Sequence, residues 1–345
     1  MTVSSTTPTQ ATGTSEGKGK GAHDTPTTTM RAIQFGRYGQ PDVLEVVEVP
    51  RPHAGPGEAL VRVAGTTFNP VDASIRAGYL AGMFPVELPH VPGIDVSGTV
   101  VAVGDGVDSE LVSRDVIAFL PMTGPGASAE YAAVPAELIA PAPTSIPLAD
   151  AAALASSGLT AWQAVVEQAD VQRGQRVLVN GGGGGVGGFA VQLAARAGAT
   201  VIATAGPRSR AAVEAQGASQ VVDYTSTPVT DAVTEPVDVV VNLVRTSPEE
   251  TAALVGLIRP DGVFVSTTTP GTAPAAADVR TVSVYARSDA DQLAELARLV
   301  DAGELRVDVS AHHPLEDLAT VHALGERGEL RGKVVLTPTS AVARD

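Results

Sequence analysis

Cysteine is absent from the whole 345-residue sequence. That absence excludes disulfide bridges, a thiol nucleophile and any zinc site built on thiolates. Positive charge is scarce as well: 23 Lys and Arg face 38 Asp and Glu, leaving a net charge of -15. Without a Lys/Arg cluster there is no basic stripe of the kind nucleic-acid binders carry, and the acidity serves solubility rather than recognition. No apolar run reaches the roughly 18 residues needed to span a bilayer. Residues 1–29 are rich in Ser, Thr, Gly and Pro and have no apolar stretch of the secretory kind. They are expected to form a disordered tail, with the folded unit starting at Met30 and the cytoplasm as its compartment.

Apolar residues are plentiful, at 44%, and the length suits two domains. From Met30 to about Asp150, short β-type segments (MRAIQF, VLEVVEV, EALVRVAGTTF, VSGTVVAVG, DVIAFL) are separated by Pro and Gly. They predict a β-rich, barrel-like domain. The grammar changes after Asp150. Ala151–Asp170 reads as a helix interrupted near Gly158. Beyond it the strands QRVLVN, ATVIATAG, QVVDY, VDVVVNLV, GVFVST and RTVSVYAR alternate with the helices GFAVQLAARAG, RSRAAVEAQG and SPEETAALVGLIRP. This alternation predicts an α/β fold with a parallel sheet covered on both faces. An amphipathic helix then places Leu293, Leu296, Leu299 and Val300 on one face, and strand–helix–strand closes the chain at GKVVLTP. The α/β unit, 151–287, is thus inserted between two pieces of the β-rich unit, 30–150 and 288–345.

The stretch VLVNGGGGGVGGFAVQLA lies between an apolar strand and a helix. Gly182, Gly184 and Gly187 match G-x-G-x-x-G in that setting. Gly182 permits the tight turn, Gly184 lets backbone approach a pyrophosphate, and Gly187 lets the helix pack on the sheet. The helix N-terminus then offers N–H donors and a positive dipole end to the anion. A flexible glycine linker would not be flanked so closely by regular elements. After the second strand, an acid for the ribose hydroxyls of NAD is missing: no Asp or Glu lies between Thr200 and Ala212, whereas Arg208 and Arg210 do. A guanidinium suits a 2′-phosphate, so NADPH is expected over NADH.

From Met30 to about Thr337 the chain resembles the zinc-independent quinone oxidoreductase branch of the medium-chain dehydrogenase/reductase superfamily. The resemblance rests on MRAIQFGRYGQPDVLEVVEVP, NPVDASIRAG, VPGIDVSGTVVAVG, ASAEYAAVP, AALASSGLTAWQAV, the glycine run and RGKVVL, in that order. It implies a GroES-like β-barrel domain, a Rossmann doubly wound domain and a cleft between them. It further implies cofactor contacts from Asn69, Thr160, Gly184, Gly185, Val186, Arg208, Tyr224 and Lys333, with backbone near Leu243, Val244, Phe264 and Val265 beside the nicotinamide. Each has a plainer alternative: Asn69 as a turn former before Pro70, Thr160 bonding back to its helix, Tyr224 as a surface aromatic, Lys333 as an exposed cation. The commonest loop of the family carries alanine at the positions of Gly182 and Gly183; the extra glycine is expected to loosen the loop.

Zinc enzymes of the superfamily use a Cys near the Asn69 segment and a His-Glu pair where this chain has Gly93-Ile94-Asp95. Ile94 cannot bind metal, so metal-free chemistry is expected. An acceptor that is already electrophilic, a quinone or an α,β-unsaturated carbonyl, then suits hydride transfer from NADPH. Tyr79 and Asn69 are the candidate donors to its oxygen, acting by positioning, with no essential acid or base. An enoyl-thioester reductase and a non-catalytic NADPH-binding sensor or scaffold are the alternatives. The alternating edge segment 280–287 predicts a homodimer.

Overall fold

The computed structural model describes residues 29–272 and 278–339. The expected tail at 1–29 therefore lies, but for Thr29, outside the described residues. Thr29–Gln34 pairs antiparallel with Glu45–Pro50. The larger β-sheet of this lobe is built on the ten-residue strand Glu58–Thr67, which pairs with Asp95–Val103 on one side and Tyr131–Pro135 on the other. The chain returns to it at the end: Val309–Pro314 pairs with Lys333–Thr337, which pairs with Glu58–Thr67.

The second sheet has six parallel strands in the order Gln220–Val222, Thr200–Thr204, Arg176–Asn180, Val237–Asn242, Ile258–Ser266, Arg280–Ser283. Successive strands run outward from Arg176–Asn180 to one side, then from Val237–Asn242 to the other. Their boundary is a topological switch point, where a crevice opens at the strands' carboxyl ends. Val177, Leu178, Val179, Val239, Val240 and Val241 are essentially inaccessible to solvent, as a sheet covered on both faces requires.

The helical segment after Asp150 is broken, but not at Gly158. It runs as Leu148–Ala151, a 3-10 turn at Ala152–Leu154, an α-helix at Ala155–Trp162 and a π-helical turn at Gln163–Gln168. Gly158 sits inside the α-helix, where a Cβ would come within 3.0 Å of Leu154 and 3.2 Å of Leu296. Its glycine answers close packing rather than a break. Leu293, Leu296, Leu299 and Val300 of the helix Ala290–Asp301 are buried in the core that contains Leu154, Leu159 and Val177. Apolar packing thus runs continuously from one lobe to the other.

Candidate active site

The strand Arg176–Asn180 delivers the chain into Gly181, whose φ of +98° favours glycine. The helix Gly185–Arg196 follows with Gly184 as its N-cap and no side chain capping it. A Cβ on Gly187 would overlap the carbonyl oxygen of Gly181 and lie 2.7 Å from Cα of Gly182. Glycine is required there for helix and strand to approach. At Gly184 the situation is different: a Cβ would meet only the Gly181 oxygen, at 3.5 Å. No protein atom demands glycine at that point, and the open space lies against unpaired N–H groups of the helix start, which fits an approaching phosphate.

The extra glycines do not loosen this loop. A Cβ on Gly182 would stand 2.9 Å from Cβ of Ala203, and one on Gly183 would stand 2.7 Å from Cβ of Ser209. Here the second strand and its following turn pack closer than alanine permits, which corrects the expectation of a slack loop. Gly184 also forms a β-bridge with Gly332, just before the closing strand of the other lobe.

Lys333, the next residue, is buried at 3% exposure. Its stem crosses Gly185, where a Cβ would lie 2.6 Å from Lys333 Cδ. Its Nζ donates to Asn69 Oδ1 at 2.8 Å and lies 3.3 Å from Asp95 Oδ2. Asn69 Nδ2 donates to Asp95 Oδ2 at 2.9 Å, and Ser156 Oγ donates to Asn69 Oδ1 at 3.3 Å. Asp95, wholly buried, also receives the Thr67 hydroxyl and, at 2.8 Å, the Ser156 N–H. Asp72 lies against the same amide, with Asn69 Nδ2 at 3.4 Å and the Gly93 N–H at 3.3 Å. Burial first, and then the neighbouring Asp95, push the Asp72 carboxyl up to about 7. The two site residues that the sequence placed 264 positions apart, Asn69 and Lys333, are thus hydrogen-bonded to each other. Neither a simple turn former nor an exposed cation describes them.

The sequence reading missed Asp95, Asp72, Thr67 and Ser156, and also a polar ledge on the parallel sheet. Thr204 Oγ1 donates to Asn180 Oδ1 at 3.0 Å, Asn180 Nδ2 to Asn242 Oδ1 at 2.9 Å and Asn242 Nδ2 to Ser266 Oγ at 3.3 Å. The polar ends are visible in the sequence, but only the sheet order makes them neighbours: the four adjacent strands end on Thr204, Asn180, Asn242 and Ser266. Leu243 and Val244 follow this ledge, with the Leu243 N–H bonded to the Asn180 carbonyl. The side chains of Phe264 and Val265 are 0% exposed within the core; the expectation for these two concerns their backbone, which leads to Ser266 at the strand end.

The other expected contacts are scattered. Thr160 Oγ1 bonds back to the Ser156 carbonyl at 2.6 Å. Arg208 donates to the Glu329 and Gly328 carbonyls, each at 2.9 Å. It therefore clasps the second strand's turn to the closing segment of the other lobe. Tyr224 is exposed near Gly206. Tyr79 is 80% exposed, far more open than the buried cluster around Asn69.

Two family models match the chain: alcohol dehydrogenase GroES-like domain at residues 55–144 and zinc-binding dehydrogenase at residues 216–336. The chloroplast envelope quinone oxidoreductase homolog of Arabidopsis thaliana is 31% identical over 327 residues, spanning 90% of this chain and 98% of that protein. The chain belongs to the quinone oxidoreductase branch of the medium-chain dehydrogenase/reductase superfamily. The quinone oxidoreductase from Coxiella burnetii superposes with a TM-score of 0.82 at 31% identity, covering 90% of this chain and all of that one. The NADPH-dependent alkenal/one oxidoreductase, chloroplastic, of Arabidopsis thaliana is 32% identical over 320 residues, 90% of this chain and 80% of that protein. Membership makes this family member an NAD(P)H-dependent oxidoreductase. The open face of Gly184, the uncapped helix start and the adjacent Lys333 stem fit the pyrophosphate of such a cofactor. No helix among the described residues is long and apolar enough to cross a membrane.

Proposed function

We propose that this family member reduces quinones or α,β-unsaturated carbonyls with NADPH and without a metal. The observation that carries the reading is the meeting of the phosphate loop with a buried polar cluster whose cation is Lys333. The donor chemistry there does not suit zinc. Ile94 offers no ligand atom, and the carboxylate of Asp95 is held by Thr67, Asn69, Ser156 and an ammonium group. A dication would have to displace Lys333 and still find soft or imidazole ligands. Among the described residues no three His, Asp or Glu side chains gather to supply them.

Bound NADPH supplies the hydride. The chain's own part is placement. Gly185 and Val186 present backbone N–H groups to the phosphates over the open face of Gly184, whose own N–H is bonded to the Gly181 carbonyl, with Gly182 and Gly187 setting the turn. The ledge from Thr204 to Ser266, with Leu243 and Val244, forms a rigid floor at the strand ends. Asn69, pinned at both ends of its amide, gives the crevice a fixed polar wall. Without a Lewis acid, an acceptor that is already electrophilic is the one this arrangement serves, and water can protonate the product. The alkenal/one and quinone names of the relatives support this acceptor class. Tyr79 is too exposed to be held as a donor, so positioning falls to Asn69.

NADPH is favoured over NADH because Arg208 follows the second strand where no acid stands. To reach a 2′-phosphate it would exchange two backbone carbonyls for a charged partner, a stronger bond for a guanidinium. A homodimer through Arg280–Ser283 is supported by that strand's position at the sheet edge and by the exposed Tyr285 beyond it.

The test is a panel of 1,2- and 1,4-quinones, small enones and enoyl-thioesters, run with NADPH and NADH in parallel. Turnover of quinones or enones with NADPH, unaffected by chelators, is expected. Equal affinity for NADH would refute the role of Arg208. Binding without turnover of any acceptor would favour a sensor. A monomeric mass at micromolar concentration would count against the dimer.

A further inference from the structure

The Asn69 cluster holds two carboxylates and one ammonium. Asp95 is fully provided with donors. Asp72 is not: it is 4% exposed and accepts two long bonds, at 3.3 and 3.4 Å. Beside it lies a cavity of about 10 Å³, the size of one water, which His90 also lines. Lys333, meanwhile, passes over the first residue of the phosphate-loop helix, yet its ammonium is turned onto Asn69 and Asp95.

We propose that Asp72 is a positioning residue for cofactor binding: through Asn69 and Asp95 it sets how tightly Lys333 is held, and so how much positive charge the phosphate loop presents. The inference rests on the cofactor reading above, not on the acceptor. When Asp72 carries its proton, one carboxylate balances one ammonium. When it ionises, a second carboxylate stands against Asn69 in the cluster that holds Lys333, and a negative charge is added to the network whose ammonium stem lies on the phosphate-loop helix.

Burial and the nearby Asp95 place that change in the neutral range. The other groups facing Asp72 do not mask it. Asp95 and Lys333 come from Asp95–Val103 and Lys333–Thr337. His90, across the cavity, is drawn down to about 4 by burial and is neutral there. Arg76, one turn along the same helix, is engaged by Glu326.

The experiment follows NADPH binding by the fluorescence of Trp162, the single tryptophan, from pH 5.5 to 9, in the full chain and in Asp72→Asn. The phosphate of NADPH titrates near pH 6 in both and cancels in the comparison. The dissociation constant of the unaltered protein is expected to rise about tenfold relative to the variant between pH 6 and 8.5, as one pKa-scale step of coupling gives. A shared pH profile, or no NADPH binding, overturns the inference. Should Asp72→Asn not fold, calorimetry of the unaltered protein in buffers of differing ionisation enthalpy decides instead. At pH 8 binding should take up a substantial fraction of a proton; zero uptake overturns the proposal. A merely structural Asp72 would move neither readout. The readout is binding alone, so if the acceptor panel showed no reduction while binding kept this pH dependence, the inference would stand and the reductase reading would fall.

Discussion

The phosphate loop and the Asn69 cluster meet at Lys333 and are built by opposite means. The loop works by what its residues lack. Gly187 and Gly182 let backbone touch backbone, Gly183 makes room for Ser209, and Gly184 leaves space that no protein atom fills. The cluster works by what its residues carry: two carboxylates, an ammonium and an amide, all nine-tenths or more buried. The first has no room for an added atom at Gly187, Gly182 or Gly183; the second tolerates no missing partner. Steric demands are local, whereas charge balance is shared by every member of the network.

The largest effect should come from Lys333→Met. It strands Asp95 beside Asp72 with no cation, and removing one partner of a buried pair costs about 3–5 kcal/mol. Thermal unfolding should show it, and NADPH binding should be lost; an unchanged melting temperature would mean the cluster is not held by its ion pair.

Asp72→Asn tests the same charge balance through pH. The folded protein raises the Asp72 carboxyl from 3.8 to about 7, so the native state prefers the proton. The stability that neutral Asp72 contributes is complete below pH 4 and is lost as pH rises to about 7. Relative to Asp72→Asn, the unaltered protein should weaken across that window by at most about 4 kcal/mol, at 1.36 kcal/mol per pH step. Parallel denaturation midpoints from pH 4 to 8 would contradict a neutral native Asp72.

Gly187→Ala tests the steric side. Its Cβ must push the helix start away from Gly181, at about 1–3 kcal/mol. Far-ultraviolet dichroism should stay native while NADPH affinity drops at least tenfold. The smallest effect is expected from Gly183→Ala, about 1 kcal/mol. Removing the obstructing atoms with Ser209→Gly should restore it, and failure of that rescue would show that Gly183 serves something other than packing.

How much of this was legible beforehand follows the same division. The strand, loop and helix around Gly182, Gly184 and Gly187 could be read because the motif and its flanking elements lie within a few residues of one another; the approach of Ala203 to Gly182 could not. Lys333 and Asn69 could be named only through resemblance to a family. Asp95 and Ser156 could not be read at all, because nothing adjacent to Asp95 marks it as the acceptor of Thr67, Asn69, Ser156 and Lys333. Ser266 went unnamed beside Phe264 and Val265 because near a buried strand end the sequence does not say which side chain faces the crevice. Gly158 looked like a break because glycine often is one; its helix instead needs the space for Leu154 and Leu296.

By itself, the sequence determined the class of fold, the phosphate loop and the exclusion of thiolate chemistry, since periodicity, glycine spacing and composition are local properties of the chain. Only the tertiary structure decided that Lys333 lies inside rather than outside, that Asp72 keeps its proton near neutrality, and that Gly182 and Gly183 are tight rather than slack. Each of those depends on which distant atoms arrive next to the residue: for Lys333 and Asp72, when the closing strand Lys333–Thr337 comes back to pair with Glu58–Thr67; for Gly182 and Gly183, when Ala203 and Ser209 pack onto the loop.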